Sequence, residues 1–173
     1  MKDLSLNDGI ESIGNFAFAY SGITEISGVE KADVIGDLIL RYTPWEENQK
    51  SDFVIIKDKL EAYKGKSEIV VVPDEVKVID CSFDVEPGYD YPIQVSEVYI
   101  PDTVTEIKGF CFEDQKSDIR VYIPDSVTTI GDWIFMRVDN AVIITTSGST
   151  AEQYAIDNGI NYEIVDSWEV PET

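Results

Sequence analysis

The sequence predicts a mainly β solenoid of short parallel strands that ends in a strand–helix–strand cap. One observation carries most of this prediction: VYIPDTVTEIKGFCF begins at Val98, and VYIPDSVTTIGDWIF begins 23 residues later at Val121. Each copy opens with a strand too short to bury a core alone, so the copies must stack and share one. The second observation is length, because 173 residues suit one domain of ordinary size. We place that domain at residues 1–166.

Four segments follow the repeat pattern: 4–18, 70–83, 98–112 and 121–135. Each has an apolar strand, Pro or Asn, Asp, an inward Val or Ile, a second Ile and a closing Phe. Strand side chains alternate between two faces, and proline ends the strand because it has no N–H for the ladder. The pattern therefore predicts one inward aromatic row. Its members are Phe18, Phe83, Phe112 and Phe135.

The long gap after the first copy predicts inserted units over residues 27–69. VIGDLILRY (34–42) and VIIKDKLEAY (54–63) are each interpreted as a strand, a polar turn and a second strand that ends in tyrosine. The polar stretch TPWEENQKSD between them predicts a loop. EPGYDYPIQ (86–94) predicts a second loop, on one face of the stack.

The C-terminal part, residues 141–165, predicts a cap of strand, helix and strand. Ser149 and Glu152 form the S-x-x-E pattern of a capping box. Gly159 lies where a glycine would end the helix. The last coil of a solenoid needs such a cap because nothing stacks on it. We expect the tail, 167–173, to fray or to lead onward.

These segments resemble the BspA-like leucine-rich repeats of bacterial surface proteins. The resemblance rests on the two VYIPD copies and on SLNDGIESIGNFAFAYSGITEI near the N-terminus. Departures are Asn7 in place of proline and Asp80 in place of glycine after Ile79. The resemblance implies a leucine-rich-repeat-like solenoid and a non-catalytic module, secreted or on the cell surface, that adheres to host proteins or glycans. No apolar signal-peptide core occurs in MKDLSLNDGIESIG, so this location rests on the resemblance alone.

The charge balance excludes some partners. The chain has 34 acidic and 13 basic residues, no histidine and a net charge of −21. Nucleic-acid binding needs a basic surface, so no nucleic-acid partner is expected. An anionic membrane surface is disfavoured for the same reason, and no run is apolar enough to span a bilayer. We interpret the surplus of acid as a source of solubility.

The residue types disfavour catalysis. Without histidine, Ser-His-Asp and Cys-His arrangements and histidine-containing zinc sites are excluded. Asp74, Asp102 and Asp125 recur in register, which is typical of turn residues rather than of a single-copy catalytic pair. We therefore expect that the protein is not an enzyme and that it binds no cofactor. A glycan-active enzyme that uses paired carboxylates stays as a third hypothesis.

Two smaller questions concern metals and thiols. Asp84, Glu86 and Asp90 cluster on the second inserted loop, where a solvated acidic loop is preferred over a weak calcium site. No metal site is therefore expected. Cys81 and Cys111 occupy different positions in adjacent units, which favours two thiols over a disulfide.

The candidate interaction surface consists of outward strand positions and inserted loops. Val71, Tyr99 and Tyr122 would form a row on one sheet face, and tyrosine suits protein or sugar recognition. Trp45 and Tyr89 are the loop candidates. Two alternatives stay open: the tyrosines only stabilise the sheet, or the whole repeat array is a spacer that projects another domain.

A further tryptophan is assigned to packing. Trp133 aligns with Phe16 and Phe110, just before the closing Phe, and we expect it to pack against the core.

Overall fold

The computed structural model describes residues 2–80, 83, 95–113, 115 and 118–172. In these residues the chain winds as a solenoid, in which each short strand lies beside the matching strand of the next coil. The strands are β1 (Asp3–Ser5), β2 (Ser12–Ile13), β3 (Glu25–Ser27), β4 (Val34–Ile35), β5 (Phe53–Ile56), β6 (Lys59–Tyr63), β7 (Ile69–Val71), β8 (Val78–Ile79), β9 (Glu97–Tyr99), β10 (Glu106–Ile107), β11 (Ile119–Tyr122), β12 (Thr129–Ile130), β13 (Ala141–Thr145) and β14 (Asn161–Ile164). The helices are a 3-10 turn (Val29–Lys31), α1 (Pro44–Glu47) and α2 (Thr150–Asn158).

Two five-stranded sheets form the sides of the solenoid. One has the order β14-β13-β11-β9-β7, and the other has the order β12-β10-β8-β6-β5. The first coils contribute two smaller sheets, β1-β3 and β2-β4. Val70 pairs with Val98, and Val98 pairs with Val121, in parallel register. The predicted solenoid of short parallel strands is therefore confirmed.

The turn after each first strand is closed by the backbone of the Pro-Asp step. The carbonyl of Pro101 accepts a hydrogen bond from the N–H of Val104 at 3.0 Å. The Pro73 and Pro124 turns are closed in the same way. These are β-turns, in which proline presets the required φ angle.

The core contains a ladder of stacked aromatic rings. Phe83, Phe112 and Phe135 follow one another with ring-centroid distances of 5.2 and 5.4 Å, and all three are buried. The inward row is confirmed for these three residues. Phe18 is only half-buried and belongs to a separate N-terminal core cluster, because its coil lies at the end of the stack.

The inserted units differ from each other. The second is the predicted hairpin, with β5 and β6 antiparallel. The first is not a hairpin: β4 pairs in parallel with β2, and the chain then follows an ordinary coil. Gly36 explains the difference, because a Cβ there would lie 2.4 Å from the backbone N of Asn15. Gly36 lets two coils approach each other closely, and it does not form a hairpin turn.

The stretch predicted as a polar loop contains the short helix α1. Thr43 is its N-cap, and its Oγ1 accepts a hydrogen bond from the N–H of Glu46 at 3.2 Å. Pro44 takes the first helical position, where its missing N–H costs nothing. The sequence T-P-W-E carries the signal of a helix start, so this loop prediction was wrong for a reason visible in the residues.

The C-terminal cap has the predicted order. Ser149 Oγ accepts from the N–H of Glu152 at 3.0 Å, and Gly159 ends α2 with φ of 67°. Ala151 and Ala155 bury one face of the helix. Among the described residues, no helix has the length and apolarity needed to cross a membrane.

Candidate interaction surfaces

Val71, Tyr99 and Tyr122 lie side by side on the outer side of their sheet, and we call this set the tyrosine face. Tyr99 pairs in register with both others. The two tyrosine rings stack with centroids 4.1 Å apart and an interplanar angle of 9°. The Tyr99 hydroxyl donates to Glu97 Oε2 at 2.6 Å. The predicted proximity of the rings is confirmed.

The predicted exposure of both rings is wrong for Tyr99, which is only 7% exposed, whereas Tyr122 is half-buried. The tail explains part of this burial. Trp168 lies on the tyrosine face, with its ring centroid 5.9 Å from that of Tyr122. The tail therefore folds back over the sheet, whereas we expected it to fray or to lead onward.

The loop candidates have different outcomes. Trp45 is half-buried and packs against the N-terminal core cluster, and its N–H donates to the Ile23 carbonyl at 2.9 Å. Part of its surface serves packing and only the remainder can meet a ligand. Tyr89 lies outside the described residues.

Three exposed aromatic rings lie elsewhere, at one recurring coil position that follows strands of two different sheets. Phe16, Phe110 and Trp133 each follow the last residue of a short strand by three positions, and we call this set the aromatic edge. They are 53%, 46% and 63% exposed. The expected packing of Trp133 is therefore wrong.

The three exposed rings share one backbone conformation. Phe16, Phe110 and Trp133 have φ of 55°, 64° and 64°, in the left-handed region. Leu38, at the same coil position, has φ of 51°, so the coil imposes this conformation. Glycine or asparagine would adopt it with less strain, yet the chain places large rings there. The alignment of Phe16, Phe110 and Trp133 was visible in the sequence. It would have identified the aromatic edge if this ring position had been treated separately from the position that follows it.

A pocket of about 380 Å³ opens beside Trp133, between its turn and α2. Its lining residues include Trp133, Tyr154, the acidic residue Asp139 and the amide residues Asn158 and Asn161. Asn158 Nδ2 donates to the Tyr154 carbonyl at 2.9 Å, which orients that amide. Ring surface next to amides suits a polar ligand with an apolar face.

A buried group of charges joins the first coils to the rest of the solenoid. This carboxylate–lysine cluster consists of Asp37, Lys59, Glu61 and Asp80. Lys59 Nζ donates to Asp37 Oδ1 at 2.8 Å, to Asp80 Oδ2 at 3.0 Å and to the Gly36 carbonyl at 2.9 Å. One ammonium group therefore holds two carboxylates and a backbone carbonyl across the junction. Sequence analysis did not identify this cluster.

Burial perturbs the acids of the cluster. It raises the pKa of Glu61 to about 8, and the charge of Asp80 acts in the same direction, against that of Lys59. Burial also raises the pKa of Asp80 to about 6, although Lys59 opposes it. For Lys59, burial acts to lower the pKa, but the bond to Asp37 and the charge of Asp80 outweigh it and hold the pKa above its ordinary value.

We expect the free energy of unfolding to fall as the pH rises from 5 to 9, with Glu61 as a main cause. A raised folded pKa means that the native state holds a proton that the unfolded state has released, so stability is lost between the ordinary pKa of 4.5 and about 8. One pKa unit corresponds to about 1.4 kcal/mol. Glu61→Gln should therefore stabilise the protein by up to about 5 kcal/mol at pH 9 and change little at pH 5.

Urea unfolding of both proteins at several pH values measures this difference. Asp80 has the same sign between its ordinary pKa of 3.8 and about 6, so a smaller slope should remain in the variant. Parallel stability curves for the two proteins would contradict the assignment to Glu61.

No metal-binding arrangement of three or more Cys, Asp or Glu side chains occurs in the described part of the chain. The acids of the calcium alternative, Asp84, Glu86 and Asp90, lie outside it. Cys111 is buried in the core, as expected for a small apolar residue, whereas Cys81 is outside the described residues. Asp74, Asp102 and Asp125 are exposed in the Pro-Asp turns.

Comparison with known proteins identifies one family of repeats that matches this sequence. A family model for the BspA type leucine rich repeat region matches residues 1–82 and 88–166, in six copies. Neither the curated proteins nor the solved structures contain a significant match.

Proposed function

The chain belongs to the BspA-type leucine-rich-repeat family, a family of interaction repeats, and from this premise we propose that it is a non-catalytic binding module. We further propose that it acts at the cell surface or as a secreted protein, by adhesion to a host protein or glycan. Neither role requires a cofactor.

The aromatic edge is the observation that carries this proposal. Phe110 and Trp133 occupy matching positions in adjacent coils, since Ile107 pairs with Ile130 three residues before them. Exposed rings at matching positions of adjacent coils can form one apolar patch, and contiguous exposed apolar patches mark interaction sites. Aromatic residues also dominate the binding energy of many interfaces.

Charge narrows the class of ligand. With a net charge of −21, the protein repels anionic partners such as sulfated or sialylated glycans. The amide-lined pocket beside Trp133 favours a neutral glycan, whose apolar sugar face can lie on the ring while its hydroxyls reach Asn158 and Asn161. A neutral or basic protein surface fits the edge for the same electrostatic reason.

We expect Phe110→Ala combined with Trp133→Ala to weaken ligand binding by at least about tenfold, since each exposed anchor typically contributes more than 1 kcal/mol. The double variant should have nearly the melting temperature of the parent, because the two exposed rings contribute little apolar area to the core. A glycan and host-protein array identifies the ligand, and a titration against the strongest hit measures the loss.

Tyr162→Ala is the matched control, since this exposed tyrosine lies on β14, outside the aromatic edge. It should bind like the parent. Normal binding by the double variant would reject the edge as the working surface. An array with no hit at all would favour the alternative role, a spacer that projects another domain.

A further inference from the structure

The tail of the chain leaves the sheet and crosses the tyrosine face. The last backbone bond to the sheet is that from the N–H of Val165 to the Thr145 carbonyl, at 3.0 Å. Three residues later, the Trp168 ring meets Tyr122 at 5.9 Å with an interplanar angle of 55°. Pro171 and Glu172 then lie near Ile69 on β7, at the far side of the same sheet.

Open space remains on both sides of the tail. A groove of about 860 Å³ lies between Trp168 and the turns of Pro101 and Pro124. A second groove, of about 460 Å³, lies between Pro171 and the strand that holds Val71. The tail thus covers the tyrosine face without filling it.

Only side-chain contacts hold the tail in place. Within the described residues, no hydrogen bond joins residues 166–172 to the sheet. Trp168 supplies the one aromatic contact. A segment that packs through Trp168 and its last residues, without ladder bonds in the described part of the chain, has a low cost of local release.

The acidic residues of the larger groove, beside Trp168, disfavour the acidic tail as its occupant. Asp102 and Asp125 line the groove, as do Asp166 of the tail and Asp74 further along. Like charges in one groove repel each other, so an acidic segment binds there at an electrostatic disadvantage. A segment of the same shape with basic residues would be attracted electrostatically to the groove, whereas the acidic tail is repelled.

We propose that the tyrosine face is a docking site for an extended, basic peptide that carries a tryptophan, and that residues 166–172 occupy it as a weak internal ligand. The partner's tryptophan replaces Trp168 on Tyr122, and its lysines or arginines meet Asp102 and Asp125. The tail thereby lowers the apparent affinity for partners until one displaces it. This site is separate from the aromatic edge, so either can fail without the other.

Peptide titration against the full chain tests the proposal. The probes are DSWEVPET, which copies the tail, its basic counterpart KSWKVPKT, and KSAKVPKT, which lacks the ring. KSWKVPKT should bind Trp168→Ala at least about tenfold more tightly than it binds the parent, because the internal competitor has lost its anchor. KSWKVPKT should also bind more tightly than DSWEVPET does, and KSAKVPKT should not bind measurably.

Tyr122→Ser in the Trp168→Ala background should abolish the binding of KSWKVPKT. Equal affinity for parent and Trp168→Ala, no binding to either, or binding that survives Tyr122→Ser would each overturn the proposal. Since Tyr122→Ser can weaken the fold, thermal melts of every variant accompany the titrations.

A fluorine label on the protein decides the matter even where a variant fails to fold. In the full chain with Trp45→Phe and Trp133→Phe, Trp168 is the one tryptophan of the protein, and labelling it as 5-fluorotryptophan gives a fluorine NMR signal that the unlabelled peptides do not have. This signal should move towards its position in the urea-unfolded chain as KSWKVPKT displaces the tail, and KSAKVPKT should leave it unchanged. A signal at the unfolded position from the start, or no response to KSWKVPKT, would contradict the assignment.

Discussion

Phe112→Ala is expected to lower the free energy of unfolding by about 3–5 kcal/mol, the cost of truncating a buried phenylalanine. Phe112 is fully buried and stacks between Phe83 and Phe135. Its removal leaves a cavity in the middle of the aromatic ladder, and the rigid coils on either side cannot close over it. Urea unfolding followed by circular dichroism measures the change.

Phe110→Ala supplies a matched control from the same coil. Phe110 is the same residue type two positions earlier, but it is exposed. Its truncation should change the free energy of unfolding by less than about 1 kcal/mol. Similar losses in the two variants would show that the inside and outside of this turn are assigned the wrong way round.

Lys59→Met should destabilise the protein by about 3–5 kcal/mol at pH 8, as expected when one partner of a buried ion pair is removed. Lys59 and Asp80 are both buried, and their charged atoms lie 3.0 Å apart. Methionine replaces the apolar part of the lysine side chain but leaves Asp80 and Asp37 without their common cation. The first coils also lose the ammonium that bonds to the Gly36 carbonyl.

The pH dependence of this loss identifies its cause. Without Lys59, the pKa of Asp80 rises above the value of about 6 that it has beside the ammonium. The variant should therefore recover stability as the pH falls through that raised pKa, because a protonated Asp80 needs no cation. Lys59→Met combined with Asp80→Asn should recover much of the loss at pH 8. A loss that does not change with pH or with the second substitution would point to packing rather than to charge.

Much of the architecture followed from the sequence because its determinants are local and repeat. The copies starting at Val70, Val98 and Val121 carry the same strand, proline and inward residues, so a single rule predicts their common register. The cap followed from Ser149, Glu152 and Gly159, which act within one helix. The strand–turn–strand prediction was right for 54–63 and wrong for the similar segment 34–42, since Gly36 allows close approach to a neighbouring coil rather than a hairpin turn.

The sequence by itself determined that this chain is a capped solenoid of stacked repeats, because its alternation, turns and caps depend on residues a few positions apart. Only the tertiary structure decided which surfaces are available. Tyr99 is buried on a face that Trp168 crosses, and Trp133 is exposed at a left-handed turn of its coil. Lys59 meets Asp37 and Asp80 from 22 and 21 residues away. Such contacts depend on how distant segments fold over one another, and no local pattern encodes that.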